Sequence, residues 1–302
     1  MRPTGTNVPR YFAPRMDILG DRCLLVAAKG CSKFSVLLRV LCVRFLFSTF
    51  SELMKESFNQ IERFTFHISR LTGYYPLKLL LFDIDGTLIS TGGAGGRCLN
   101  RAFEQLYGFD NILEGVSLAG RTDDQILMEA YGRAGIPFSE EELSGFKPVY
   151  FDLLADEMGN GSAPKGAMPG IPELLEQLSG QNHVCLALLT GNWEQSGRIK
   201  IQYFNLDHYF PFGAFSDDSP ERADLVPVAM NRFAAKYGIN PAPKDVYVIG
   251  DTPADIRCAK PHGVNSVAVA AAFHSMDDLR PHQPDILLED LSDIKTVMKL
   301  LT

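Results

Sequence analysis

The sequence predicts an α/β fold, a doubly wound parallel sheet with a helical cap domain inserted after the first strand. Three observations predict it. Aliphatic runs at Leu77–Phe82, Val184–Leu189 and Asp245–Gly250 are continuous rather than alternating, as in strands covered on both faces. Each run ends on small, hydroxyl or acidic residues, where parallel sheets place their ligands. Asp83 and Thr190 lie 190−83=107 residues apart, far beyond the few tens that one parallel crossover needs, so something is inserted.

The 302 residues allow one large domain or two smaller ones, and 46% hydrophobic with 22% charged residues is ordinary globular composition. Charge divides the chain. Residues 1–76 hold 11 Lys and Arg against 5 Asp and Glu, whereas the rest holds 29−11=18 basic and 36−5=31 acidic residues. A body netting −13 repels nucleic-acid backbones, so an anionic substrate must meet a local positive centre such as a metal ion. The six cysteines have no CxxC spacing, which favours reduced thiols in a cytoplasmic setting.

The basic leader, residues 1–76, has three readings: an organelle transit peptide, a disordered segment, or an extension outside the folded enzyme, with translation starting at Met54 or later. Its most apolar stretch, Phe34–Phe47, is fourteen residues long and contains Arg39 and Arg44, too short and too charged to span a membrane. Residues 51–71 carry Leu53, Phe58, Ile61, Phe64 and Ile68 at helical spacing.

The first strand runs into Asp83-Ile84-Asp85-Gly86-Thr87. Residues i and i+2 share a strand face, so the two carboxylates point the same way and repel unless a cation or a shared proton relieves them. Asp-Gly is also a common turn pair, and the stretch alone does not decide between turn and catalysis. A calcium loop fails on spacing, because Gly86 comes fourth rather than sixth. Context follows downstream: "VCLALLTGN" ends in Thr190 and Gly191, and "DVYVIGDTPAD" ends in Asp251 with Asp255 four residues on, so three strand ends converge on one polar cluster.

The insert begins at a glycine-rich hinge, Ser90–Gly96, which lacks the Lys-Ser/Thr of a nucleotide-binding loop. Helical patterns follow. Cys98, Ala102, Phe103 and Leu106 share a face, and Thr122-x-x-Gln125 and Ser139-x-x-Glu142 read as capping boxes at helix starts. Core at 77–95 and 170–302 with a cap at 96–169 is the expected division. Trp193, His183 and the phenylalanines read as packing.

DxDGT at Asp83–Thr87, Thr190 after an aliphatic strand and GDxxxD at Gly250–Asp255, in that order, resemble the haloacid dehalogenase-like superfamily. "TGN", "GDTPAD" and "PGIPELLEQL" look most like its phosphoglycolate-phosphatase-type branch. The resemblance implies a Rossmann-like core with a helical cap, and Mg²⁺-dependent hydrolysis of small phosphomonoesters, phosphoglycolate being the leading substrate. Asp83 is then the nucleophile, and Asp85 the general acid and base. Thr190 and Arg222 contact the phosphoryl group. Gly191, Asn192, Thr87 and Arg121 bind substrate, and Asp83, Asp85, Asp251 and Asp255 form the metal site. The family's phosphoryl-neutralising Lys has no clean counterpart, and Arg222 and Lys200 compete for that role. An acid at Asp85 favours phosphate esters over the dehalogenase and phosphonate-cleaving branches. A phosphosugar mutase is the alternative, a non-catalytic binding protein the more distant one. The expected partner is a small phosphate ester, with no nucleic acid and no membrane, in a monomer or homodimer.

Overall fold

The computed structural model describes residues 78–160 and 163–302. The leader readings, Leu77 and the amphipathic pattern at 51–71 lie outside them. The described residues all lie within one compact unit.

Six parallel strands form the sheet in the order β5-β4-β1-β6-β7-β8. β1 is Lys78–Phe82, β4 Val184–Leu189, β5 Gly213–Ala214, β6 Val246–Gly250, β7 Asn265–Val269 and β8 Ile286–Leu288. The first strand is central, pairing Phe82 with Leu188 of β4 and with Ile249 of β6. Its carboxyl end therefore borders the two other motif strands, and the chain order reverses around it, the crevice position for a ligand in an open α/β sheet.

Alternation along β1 builds the two layers. Leu80 and Phe82 pack on one face with Ile171, Leu174 and Leu175 of helix α4 (Ile171–Ser179) and with Ile294 and Val297 of the C-terminal helix α9 (Ile294–Leu301). Leu79 and Leu81 pack on the other face with Leu225, Ala229 and Phe233 of α6 (Leu225–Tyr237) and with Cys258 and Ala259 of α7 (Pro253–Ala259). Burial on both sides explains the continuous aliphatic run.

Between β1 and β4 the chain forms a two-stranded antiparallel ribbon, β2 (Ile89–Ser90) with β3 (Gly166–Ala167), which brackets helices α1 (Ala94–Tyr107), α2 (Asp123–Ala134) and α3 (Glu140–Asn160). These helices have their own apolar centre of Leu99, Phe103, Leu127, Tyr131, Phe146 and Leu154, which Trp193 from the core joins. Of each expected capping box the cap half forms, the Gln125 amide donating to Thr122 Oγ1 at 3.3 Å and the Glu142 amide to Ser139 Oγ at 3.3 Å, while the return bonds do not: the Gln125 side chain reaches Glu221 and Glu142 accepts from Tyr107. The glycine-rich stretch divides. Gly92 and Gly93 take φ of 59° and 81°, a region glycine enters freely, whereas Gly95 and Gly96 already belong to α1.

Cys98, Cys185 and Cys258 are buried and free, and burial pushes each thiol up to about 11 or 12. Among the described residues no helix is long and apolar enough to cross a membrane.

Candidate active site

Asp83 follows the last residue of β1, its amide donating to the Ile249 carbonyl at 2.9 Å, and Ile84 turns into the core. Gly86 then takes φ 86°, and a Cβ there would collide with Asp251 Oδ2 and approach the Phe273 ring. Only glycine lets the turn pass so close to the neighbouring strand end. Thr87 Oγ1 donates to Asp251 Oδ1 at 3.3 Å, so this hydroxyl orients a carboxylate across strands.

The end of β6 contributes Asp251, and Asp255 sits in the first turn of α7. There it forms a capping box with Thr252, its Oδ2 accepting the Thr252 amide at 3.0 Å and hydroxyl at 2.7 Å. Asp83, Asp251 and Asp255 are all buried, and each offers a carboxylate oxygen within 4.8 Å of the others. Burial, opposed by Arg222, pushes Asp83 up to about 6. Burial and then the charges of Asp83 and Asp255 push Asp251 up to about 8. Asp251 Oδ2 is buried with no hydrogen-bond partner. Three hard carboxylates with one orphaned oxygen are a donor set suited to a small divalent cation such as Mg²⁺. Asp85, the fourth carboxylate expected there, is not in this group, and its Oδ2 is held by other partners.

Those partners settle how the two competing cations are arranged. Lys200, buried in α5 (Glu194–Tyr203), places Nζ 2.6 Å from Asp85 Oδ2 and 2.6 Å from Asn192 Oδ1. Arg222, in the 3₁₀ turn Arg222–Asp224 ahead of α6, places its terminal nitrogen 3.0 Å from Asp83 and 2.5 Å from Asp255. Each carboxylate of the Asp83-x-Asp85 pair thus has a cation of its own. Burial by itself would lower Lys200, but Asp85 and Asp123 overcome it and raise it. Burial likewise opposes the charge on Arg222, and Asp255 and Asp83 hold it protonated.

The end of β4 supplies Thr190, Gly191 and Asn192. Asn192 Nδ2 donates to Asp85 Oδ2 at 2.9 Å and to Thr190 Oγ1 at 2.8 Å, joining the hydroxyl to the second carboxylate. A Cβ on Gly191 would collide with the Arg121 carbonyl, so this loop runs directly against the insert.

That contact is extensive. The Asp123 amide donates to the Gly191 carbonyl at 2.6 Å, and Asp123 Oδ2 accepts the Trp193 amide at 2.9 Å and Ser196 Oγ at 3.1 Å. Asp124 accepts the Trp193 indole N–H at 2.8 Å, and Thr122 donates to the Pro220 carbonyl at 2.8 Å. Burial pushes Asp123 up to about 6, against the pull of Lys200. By resemblance the loop Ala119–Gln125 was expected to face the site, but sequence reasoning gave Thr122 only the role of a cap, Trp193 only that of packing, and Asp123 and Asp124 none. A pair of acids directly after a cap residue was the available signal, but an exposed first helical turn carries the same pattern. Arg121, expected at the substrate, instead donates to Glu129 at 2.5 Å and to the Gln125 carbonyl at 2.7 Å.

Asp83, Asp85, Thr190, Asn192, Lys200, Arg222 and Arg121 line one cavity of about 540 Å³ between sheet edge and insert.

A haloacid dehalogenase-like hydrolase family model matches residues 80–269. Phosphoglycolate phosphatase of Aliivibrio fischeri is 24% identical over 229 residues, 75% of this chain and 99% of that one. A 5'-nucleotidase of Pseudomonas aeruginosa is 27% identical over 224 residues, 73% of this chain and 95% of the relative. The crystal structure of CbbY from Rhodobacter sphaeroides in complex with phosphate superimposes with a TM-score of 0.57 at 18% identity, covering 72% of this chain and 96% of that one. The match over residues 80–269, on this sheet order and with these strand-end acids, makes the chain a member of the haloacid dehalogenase-like hydrolase family.

Proposed function

We propose that the chain is a Mg²⁺-dependent phosphohydrolase of small phosphomonoesters that works through an aspartyl phosphate on Asp83. One observation carries the reading: Asp83 sits in a buried acid cluster against Arg222, while Asp85, two residues on, is held apart by Lys200 and Asn192. The first arrangement suits a nucleophile, the second a proton carrier. The phosphatase-named relatives support the same reaction class at low identity.

Asp83 attacks phosphorus and the ester P–O bond breaks, while protonated Asp85 gives its proton to the departing oxygen. Asp85 then takes a proton from water as that water attacks the aspartyl phosphate, which releases inorganic phosphate and restores Asp83. Lys200 and Asn192 fix Oδ2 of Asp85 and leave Oδ1 for the leaving oxygen. The Thr190 hydroxyl and the Gly191 amide hold phosphoryl oxygens, Thr87 orients Asp251, and Arg222 offsets phosphoryl charge. Mg²⁺, held by Asp83, Asp251 and Asp255, would supply the positive charge that lets a carboxylate approach a phosphate dianion. The helical insert, docked through Asp123 and Asp124, keeps bulk water from the cavity.

The test is phosphate release from a panel of small monoesters, 2-phosphoglycolate included, with Mg²⁺ and with chelator. Metal-dependent release that Asp83→Asn abolishes is the expected result. Isomerised sugar phosphate with little free phosphate would replace the hydrolase by the mutase.

A further inference from the structure

The reaction class leaves the released alcohol undetermined, and relatives named for a two-carbon acid ester and for a nucleotide do not agree on it. The cavity walls are more specific. Away from Asp83 and Asp85 the apolar part of the lining is Ile89, Leu99, Leu118, Ile126, Met168 and Phe273, with Ser90, Thr91 and the Tyr150 hydroxyl as uncharged polar neighbours. Ile89, Leu99 and Ile126 are buried, whereas Phe273 is 60% exposed, and its ring edge stands over the Gly86 turn. An exposed aromatic beside a catalytic strand end gains most by covering an apolar ligand.

Charge gives an independent argument. Three cations line the cavity, and each already holds an acid: Lys200 with Asp85 at 2.6 Å, Arg222 with Asp83 at 3.0 Å, and Arg121 with Glu129 at 2.5 Å. The Arg121 fork also donates to the Gln125 carbonyl at 2.7 Å, so it closes on its own helix start rather than on the cavity. Asp123 lines the cavity as a further acid. A carboxylate on the leaving group would have to compete with Asp85, Asp83, Asp255 and Glu129 for these cations and would face Asp123. The volume agrees, since about 540 Å³ is far more than a two-carbon tail fills.

Resting on the phosphohydrolase reading, we infer that the alcohol released is uncharged and largely apolar, of branched-alkyl or aryl size, rather than a short hydroxy acid. The insert then selects by shape and desolvation, and all the charge recognition stays at the phosphoryl end.

The test compares kcat/KM for 3-methylbutyl phosphate and 2-phosphoglycolate with Mg²⁺. Both release primary alcohols, and glycolate is the better leaving group, so intrinsic reactivity works against the inference. The alkyl ester is expected to be preferred by ~10-fold or more, since one methylene in an apolar pocket is worth ~10–200-fold. Phe273→Ala, a change at an exposed position, is expected to lower kcat/KM for the alkyl ester several-fold more than for 2-phosphoglycolate. Leu118→Arg, which puts an unpaired cation into the cavity, is expected to narrow or reverse the preference. Wild-type preference for 2-phosphoglycolate, or for a nucleoside monophosphate over the alkyl ester, overturns the inference and leaves the hydrolase standing. No Asp83-dependent phosphate release from any ester overturns both.

Discussion

Asp251→Asn is expected to stabilise the metal-free protein. Asp251 is fully buried with an unpartnered Oδ2, and its acidity is displaced from 3.8 to about 8 by burial and by Asp83 and Asp255. For a carboxyl group raised in the folded state the sign is fixed. The contribution of Asp251 to stability is greatest below 3.8, where both states carry the proton, and is lost as pH rises toward 8, because the unfolded chain ionises first. At pH 7 the gap above 3.8 is roughly three units, or ~4 kcal/mol at 1.36 per unit. Coupled titration with Asp83 and Asp255, together with local relaxation, reduces this to ~2 kcal/mol. Asparagine keeps the acceptor for Thr87 and removes the ionisation, so in chelator the variant should melt ~4–8 °C above wild type near pH 7, and closer to it at pH 5. Added Mg²⁺ should raise the wild-type melting temperature and move the variant little. Thermal melts by circular dichroism across pH 5–8, with chelator and with Mg²⁺, measure all of this. A variant that melts below wild type in chelator at pH 8, or a gap that does not widen with pH, would refute the reasoning.

Other outcomes follow from the same geometry. Asp83→Asn should abolish turnover with an unchanged circular dichroism spectrum, and substantial residual activity would misplace the nucleophile. Lys200→Met should lower kcat by ~10²-fold or more, as loss of a positioned acid and base does, and shift the pH–rate profile, while Mg²⁺ binding is nearly kept. Gly191→Ala, whose Cβ would strike the Arg121 carbonyl, should lower kcat and speed limited proteolysis within residues 94–160. Removal of residues 1–75 should leave turnover unchanged in the phosphate-release assay, and a large loss would tie the leader to the enzyme.

The strands and strand-end acids were legible because their signals are local. A continuous aliphatic run and an i, i+2 carboxylate pair need no knowledge of distant residues. The insert was legible as length plus caps at Thr122 and Ser139. What the sequence could not show was which distant partner each charged side chain takes. Lys200 and Arg222 both suited the phosphoryl end by type, and only the fold assigns one to Asp85 and the other to Asp83 and Asp255. Arg121 looked free because Glu129, eight residues on, becomes its neighbour only once the loop closes onto α2. Asp123 resembled an ordinary first-turn acid until Trp193 and Ser196 were found beneath it.

Three consecutive residues, Gly191 to Trp193, face two ways. Asn192 touches Thr190 and Asp85, while Gly191 and Trp193 are bonded to Asp123 and Asp124 of the insert. Substrate pocket and phosphoryl site are therefore not separately exchangeable modules. A chimera that imports a relative's helices alone would leave the Trp193 amide and indole N–H buried without acceptors, each such loss costing ~1–3 kcal/mol. Grafts should carry residues 94–160 together with 191–196, and recombination between homologues should favour breakpoints that keep the two segments in one parent.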